Sequence, residues 1–248
     1  DAKYRTAYAL VFGQAATRTN RFDDAIRVLS AQVQADAKNA RLHQALGVTY
    51  DAQGDDKRAF ASFKKSYELD PTDDGTGRSA VTSGIAAARR AASDQEKSST
   101  YTAAAQLAER LAGAADTFEH SLLAGEAWLG AGDYAKALNW FGRAQAKQPQ
   151  NALVHFYKGQ CLAQQNSLDA AVSELQQALK IGAQGKLRKQ IYETLGYVYD
   201  KQKDFDRAIA AYQEAGNSSR VAELQGKKDA AAQNRAADAE RQQYIAKI

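Results

Sequence analysis

Residues 195–215 read LGYVYDKQKDFDRAIAAYQEA. Large and small apolar residues recur at helical spacing on either side of a polar break at Lys201–Asp204. The stretch is therefore read as two helices and a tight turn, each helix with one face to bury. The first contributes Leu195, Gly196 and Tyr199, and the second Phe205, Ala208, Tyr212 and Ala215. Two such helices cannot cover those faces alone; they need copies of themselves as neighbours.

The copies lie upstream. Gly13 and Gly47 are 34 residues apart, and so are Ala25 and Ala59. Gly125 and Gly159 repeat the interval, as do Ala137 and Ala171. From Gly159 to Gly196 the interval is 37, and the three added residues are assigned to the connection at residues 182–186, where a loop absorbs them at small cost. The clearest unit spans 118–149, with Gly125, Trp128, Gly132, Tyr134, Ala137, Phe141, Ala144 and Pro149. The unit with Leu46, Gly47, Tyr50, Ala59, Phe63 and Pro71 is nearly as regular, and those around Gly13 and Gly159 are in register. A small residue on each helix lets the pair approach, while aromatic residues fill the space between successive hairpins.

A 34-residue helix–turn–helix period with these residues resembles the tetratricopeptide repeat family. The resemblance implies an all-α fold, an α-solenoid of stacked helix–turn–helix repeats forming a superhelix. Repeats are placed at about 5–38, 39–72, 117–150, 151–187 and 188–216, with a degenerate one at 73–116 and a capping helix at 217–248. The degenerate segment is out of phase, since Gly47 to Gly125 is 78, ten more than two periods. Asp73–Gly77 reads as a turn, 79–92 as an Ala-rich helix with Gly84 at the small position, 93–99 as a polar connection and 100–115 as a helix. The expectation is a drifted repeat with a lengthened inter-helix turn; a local change of curvature or a partner-binding loop is the other reading. After residues 216–219, which stop one helix and cap the next, 220–247 reads as a long polar helix. Val221 and Leu224 are expected to cover the last repeat, with Tyr244, Ile245 and Ile248 near its end. The alternative is a helix that projects towards another domain or subunit.

Composition agrees with an all-helical chain: it is rich in Ala, Gln, Leu, Lys and Asp, with two Pro. The charge of +4 comes from 33 basic and 29 acidic residues interspersed along the chain, without the basic block that tracks a phosphate backbone, so no nucleic-acid partner is expected. No apolar run is long enough to span a bilayer, so direct membrane insertion is not expected. Arg5 interrupts the short apolar run at the start, which is not a signal peptide. A Met-free chain beginning at Asp1 reads as a processed or excised segment, which leaves a removed signal peptide open and both the periplasm and the cytoplasm as compartments, the former ahead.

No residues suggest catalysis. Cys161, the one cysteine, reads as a small buried apolar residue. His43 and His155 fall one turn before Gly47 and Gly159, a position suited to packing rather than metal ligation, and His120 stands alone. Gly75-Thr76-Gly77 lacks the strand and motif context of a phosphate loop. Aspartates such as Asp23, Asp24, Asp55 and Asp56 read as solvated faces and helix caps. No cofactor, no metal site and no enzyme activity are implied.

The family's geometry lines the concave side of the superhelix with first helices. It implies groove positions at Arg41, Gln44, Val48 and Asp51, at Glu119, Leu122 and Glu126, at Phe156, Tyr157 and Gln160, and at Gln190, Glu193, Tyr197, Asp200 and Lys201. Phe156, Tyr157 and Tyr197 would hold an apolar side chain of a bound protein or peptide while Gln160 and Gln190 bond its backbone. The bland alternative is that Phe156 and Tyr157 pack against neighbouring repeats. The positions at which some family members grip a C-terminal carboxylate hold Gln44, Val48, Leu122, Glu126, Phe156 and Gln160; they supply no paired cations, and Glu126 would repel the ligand. The function expected is a protein-interaction scaffold. The alternatives are a docking portion of a larger envelope protein, in secretion or polysaccharide export, and a self-assembling homo-oligomer.

Overall fold

In the computed structural model, which describes residues 2–246, the recurring units of the sequence are helical hairpins. The chain divides between Lys147 and Gln148 into two units. The first contains α1 (Ala2–Arg18), α2 (Phe22–Ala35), α3 (Ala40–Gln53), α4 (Asp56–Leu69), α5 (Asp74–Arg89), α6 (Asp94–Ala114), α7 (Phe118–Ala131) and α8 (Tyr134–Lys147). The second contains α9 (Ala152–Gln164), α10 (Leu168–Ile181), α11 (Gly185–Lys201), α12 (Phe205–Glu214) and α13 (Ser218–Ile245). Among the described residues there is no strand.

Within each unit a helix packs on its hairpin partner and on the next hairpin. The small residue of each first helix exists for one contact. A Cβ added at Gly47 would lie 2.5 Å from Phe63, at Gly125 2.5 Å from Phe141, and at Gly196 2.7 Å from Tyr212. Gly13 and Gly159 meet Leu29 and Leu175 in the same way. In every case the large residue lies sixteen positions on, in the second helix, and it seats itself on bare backbone.

The turn between the two helices is equally regular. Seven residues after each packing glycine the backbone is left-handed: Asn20, Gly54, Gly132, Asn166 and Lys203. Glycine and asparagine tolerate this conformation. Lys203, with φ 62°, does not have their freedom. Lys203→Gly is expected to stabilise the second unit by about 0.5–1 kcal/mol, read as a higher urea midpoint; a lower midpoint would contradict the assignment. After the turn an aspartate caps the second helix. Asp55 accepts from the Arg58 N–H at 2.9 Å and Asp204 from the Arg207 N–H at 3.0 Å. These backbone bonds, with the guanidinium of the same arginine, hold both carboxyls below the usual carboxylate range. Their contribution is present above about pH 4 and is lost as the pH falls through the lowered pKa. The same arginines stack on Tyr50 and Tyr199, at 4.8 and 4.7 Å from the ring centres.

The structure corrects the expected turns of the irregular segment. Residues 73–77 are not a turn: Asp73 caps α5 by accepting from the Thr76 N–H at 3.0 Å. Gly77 lies inside the helix, where a Cβ would stand 2.5 Å from Leu111. Nor are residues 94–99 a connection. Ser93 accepts from the Glu96 N–H at 3.2 Å and opens α6, so Ser93 and Glu96 have the spacing of a capping box. α6 has 21 residues where α4 has 14. Those seven residues make about two helical turns, so the inward face keeps its direction across the insertion. The three residues between the last hairpins behave likewise, lengthening the start of α11, which has 17 residues, rather than the loop.

Asn217 caps α13 by accepting from the Arg220 N–H at 3.2 Å. Leu224 of α13 is fully buried in the core of the second unit, with Val221 beside it. From Gln225 onward the helix is almost wholly exposed, Tyr244 and Ile245 included. Lys247 and Ile248 lie outside the described residues.

Candidate functional site

α9 and α11 are the first helices of their hairpins, and they touch each other. Residues 190, 193, 197 and 201 fall at intervals of three and four, so Gln190, Glu193, Tyr197 and Lys201 share one face of α11. The first three are half-buried and Lys201 is exposed. The Lys201 ammonium lies 5.6 Å from the Tyr197 ring centre. On α9, Tyr157 and Gln160 are half-buried. Tyr157 and Tyr197, both partly buried, pack against the buried core. Phe156 does not belong with them. It is 3% exposed and sits within that core, so it is a packing residue, and the ring contact it makes with Tyr157 (centroids 5.5 Å apart) is its link to the surface. Asp200 is also committed elsewhere, to Lys227 at 3.3 Å and Arg220 at 3.5 Å on α13.

In the first unit the expected positions sit on separate helices. Gln44 of α3 donates to Asp73 Oδ2 at 2.9 Å and to Thr76 Oγ1 at 2.6 Å, at the start of α5. Glu119 is exposed and Leu122 half-buried on α7. Glu126 of α7 pairs with Arg89 of α5 at 2.6 Å, so its charge is matched within the chain.

The histidines serve packing. His43 and His155 each reach back six residues to a backbone carbonyl: Nε2 lies 3.0 Å from Ala37 O in one and 3.1 Å from Pro149 O in the other. His155 adds Glu174 at 2.6 Å. His120 is not alone: it is buried between Ala115 O, 2.6 Å from Nδ1, and Asp74, 2.6 Å from Nε2. Burial pushes the Cys161 thiol up to about 12, which leaves no nucleophilic thiolate at neutral pH. Among the described residues no group of three His, Cys, Asp or Glu side chains could hold a metal ion, and no helix is long and apolar enough to cross a membrane.

Two clusters include residues that the sequence reading does not name. Glu109 of α6 accepts from both indole N–H groups, Trp128 at 2.8 Å and Trp140 at 3.2 Å. The second cluster lies on α1 and α3, where Leu10, Gln14 and Thr17 face Gln44, Val48 and their neighbours. Each of these α1 positions lies one 34-residue period before a groove position already named on α3, so shifting the list by one repeat finds them.

The sequence model described as tetratricopeptide repeat matches residues 10–74 and 122–186, more than half of the chain. A second model of the same description matches 189–215. This chain belongs to the tetratricopeptide repeat family. No curated protein sequence matches it closely. Solved structures share its fold. The protein in a structure titled functional characterization of Pseudomonas aeruginosa PilF is 14% identical, with TM-score 0.54, covering 91% of this chain and 99% of that one. A tetratricopeptide repeat protein from Parabacteroides merdae is 13% identical, with TM-score 0.54, covering 88% and 82%. MamA from Desulfovibrio magneticus is 17% identical, with TM-score 0.53, covering 73% and 94%. At such identities the likeness shows the fold alone. Tetratricopeptide repeats are in general scaffolds for protein–protein interaction.

Proposed function

We propose that this chain is a non-catalytic scaffold that holds a segment of a protein partner against the exposed faces of its first helices. The observation that carries the reading is the division of labour on α9 and α11. Gly159, Gly196, Leu195 and Tyr199 face inward and build the hairpins. Tyr157, Gln160, Gln190, Glu193 and Tyr197 keep part of their surface open. A half-buried aromatic ring packed on the core offers apolar contact at small entropic cost, and amides beside it can bond a partner's backbone. α13 buries Leu224 in the core of the second unit and takes up Asp200 of α11 through Arg220 and Lys227, while Gln190, Glu193 and Tyr197 of α11 keep part of their surface.

The test is a titration of a partner protein retained from native lysate. Tyr157→Ala combined with Tyr197→Ala is expected to weaken its binding by about 2 kcal/mol or more, the range of interface anchors. Thermal melting of the same variant separates lost contact from lost fold. Unchanged affinity in a folded variant would refute the assignment.

A further inference from the structure

The cleft between α1 and α3 of the first unit, about 670 Å³ in volume, has a chemistry of its own. Its lining includes the apolar side chains of Leu10, Val11 and Val48. Val11 is 69% exposed and Val48 50%. Tyr8 and Tyr4, also exposed, continue the face of Val11 one and two turns earlier on α1. Of the six large apolar side chains that stand exposed among the described residues, these are four. Such clustering marks an interaction surface rather than scattered exposure. The cleft also holds Arg18, Arg41 and Gln44 and no acidic side chain. Both arginines are exposed, and among the described residues neither has an ion-pair partner, unlike Arg21, Arg58, Arg89 and Arg207. α1 carries no acid at all, and the one acid of α3, Asp51, does not line the cleft.

The two cations stand at opposite ends. The 34-residue period sets Arg41 beside position 7 of α1, and Arg18 lies eleven residues further along, about 16 Å at 1.5 Å per residue. The Thr17–Thr49 hydrogen bond, 2.9 Å, fixes the two helices together near the Arg18 end. An extended peptide covers that distance in about five residues, and because its side chains alternate between two faces, the nearest spacing that keeps both end side chains and two between them on one face is about six.

We infer that this cleft binds an extended segment of a partner protein that carries two carboxylates about six residues apart, on one face of the segment, with apolar side chains between them on the same face. The carboxylates meet Arg18 and Arg41, and the apolar side chains lie on Val11, Val48 and Leu10. The inference rests on the scaffold reading but concerns a different surface from α9 and α11, so the two can fail separately.

The probe is a fluorescein-labelled peptide, Gly-Ser-Glu-Ala-Leu-Ala-Leu-Ala-Glu-Ser-Gly, whose glutamates and leucines share one face when extended, titrated by anisotropy. The wild-type chain is expected to bind it saturably and to lose affinity as salt is raised. Arg18→Glu with Arg41→Glu, two exposed positions whose fold circular dichroism checks, is expected to weaken binding about tenfold or more. The same variant is expected to prefer a peptide with lysines in place of the glutamates. No saturable binding up to about 1 mM, the weak end of specific recognition, would overturn the inference. So would equal binding by wild type and the arginine variant. Binding that is lost only in Tyr157→Ala with Tyr197→Ala would move the acidic peptide to the second unit, ending the cleft assignment while leaving the scaffold reading intact.

Discussion

Phe141→Ala lowers the stability of the first unit by about 3–5 kcal/mol, the usual cost of emptying a fully buried aromatic site. Phe141 is 0% exposed and rests on the bare backbone of Gly125. Nothing can fill the void from the Gly125 side, because that residue has no side chain to relax into it. The loss therefore includes both the transfer of the ring to water and most of the cavity that remains. Both tryptophans, Trp128 and Trp140, belong to this unit, so their fluorescence in urea reports its unfolding without interference from the second unit. Phe141→Leu should cost less than Phe141→Ala, since most of the volume is kept. A loss below about 1 kcal/mol for the alanine variant would mean that the ring over Gly125 is not what joins α7 to α8.

The second large effect is expected at Glu109. Its carboxylate receives two indole N–H groups, one from α7 and one from α8, and so ties three consecutive helices together. Glu109→Leu leaves two donors without a partner, each at about 1–3 kcal/mol when buried. Trp128 is buried and Trp140 half-buried, so a total of about 2–4 kcal/mol is expected. Glu109→Gln keeps an acceptor oxygen and should retain most of the stability. The urea midpoint checks the size, and the shift of tryptophan emission checks the cause. If the leucine variant unfolds at the wild-type midpoint, the indoles find water and the cluster is not structural.

Much of this fold is legible from spacing. Gly196 repeats at Gly159, Gly125, Gly47 and Gly13 because each must admit one large side chain at close range, and no other residue type can do so. The irregular segment was misread for a physical reason. Gly75, Gly77 and the serines near Ser98 have poor helix propensity, yet Leu111 and Tyr67 pack against Gly77, and Ser93 caps α6, so tertiary contact and capping outweigh propensity there. The lengthened helices are not visible in the pattern because insertions of about two turns in α6 and about one turn in α11 leave the burial pattern unchanged on either side. The candidate site was less legible. Periodicity separates inward from outward positions, but it could not tell that Phe156 lies in the core while Tyr157 beside it does not. Nor does one chain position show that Glu126 and Asp200 are matched by Arg89, Arg220 and Lys227 from elsewhere in the sequence. That no acidic side chain lines the cleft beside Arg18 and Arg41 is equally invisible until the helices around it are placed.

The most direct test of the scaffold account is site-specific photo-crosslinking. Benzoylphenylalanine is placed at Tyr197, on the half-open face of α11, and in a parallel protein at Gln213, which is exposed on α12. Each protein is irradiated in native lysate, and the adducts are mapped by mass spectrometry. The account predicts discrete partner adducts from position 197 and none from position 213. Adducts from position 213 alone, or the same adducts from both positions, would contradict it.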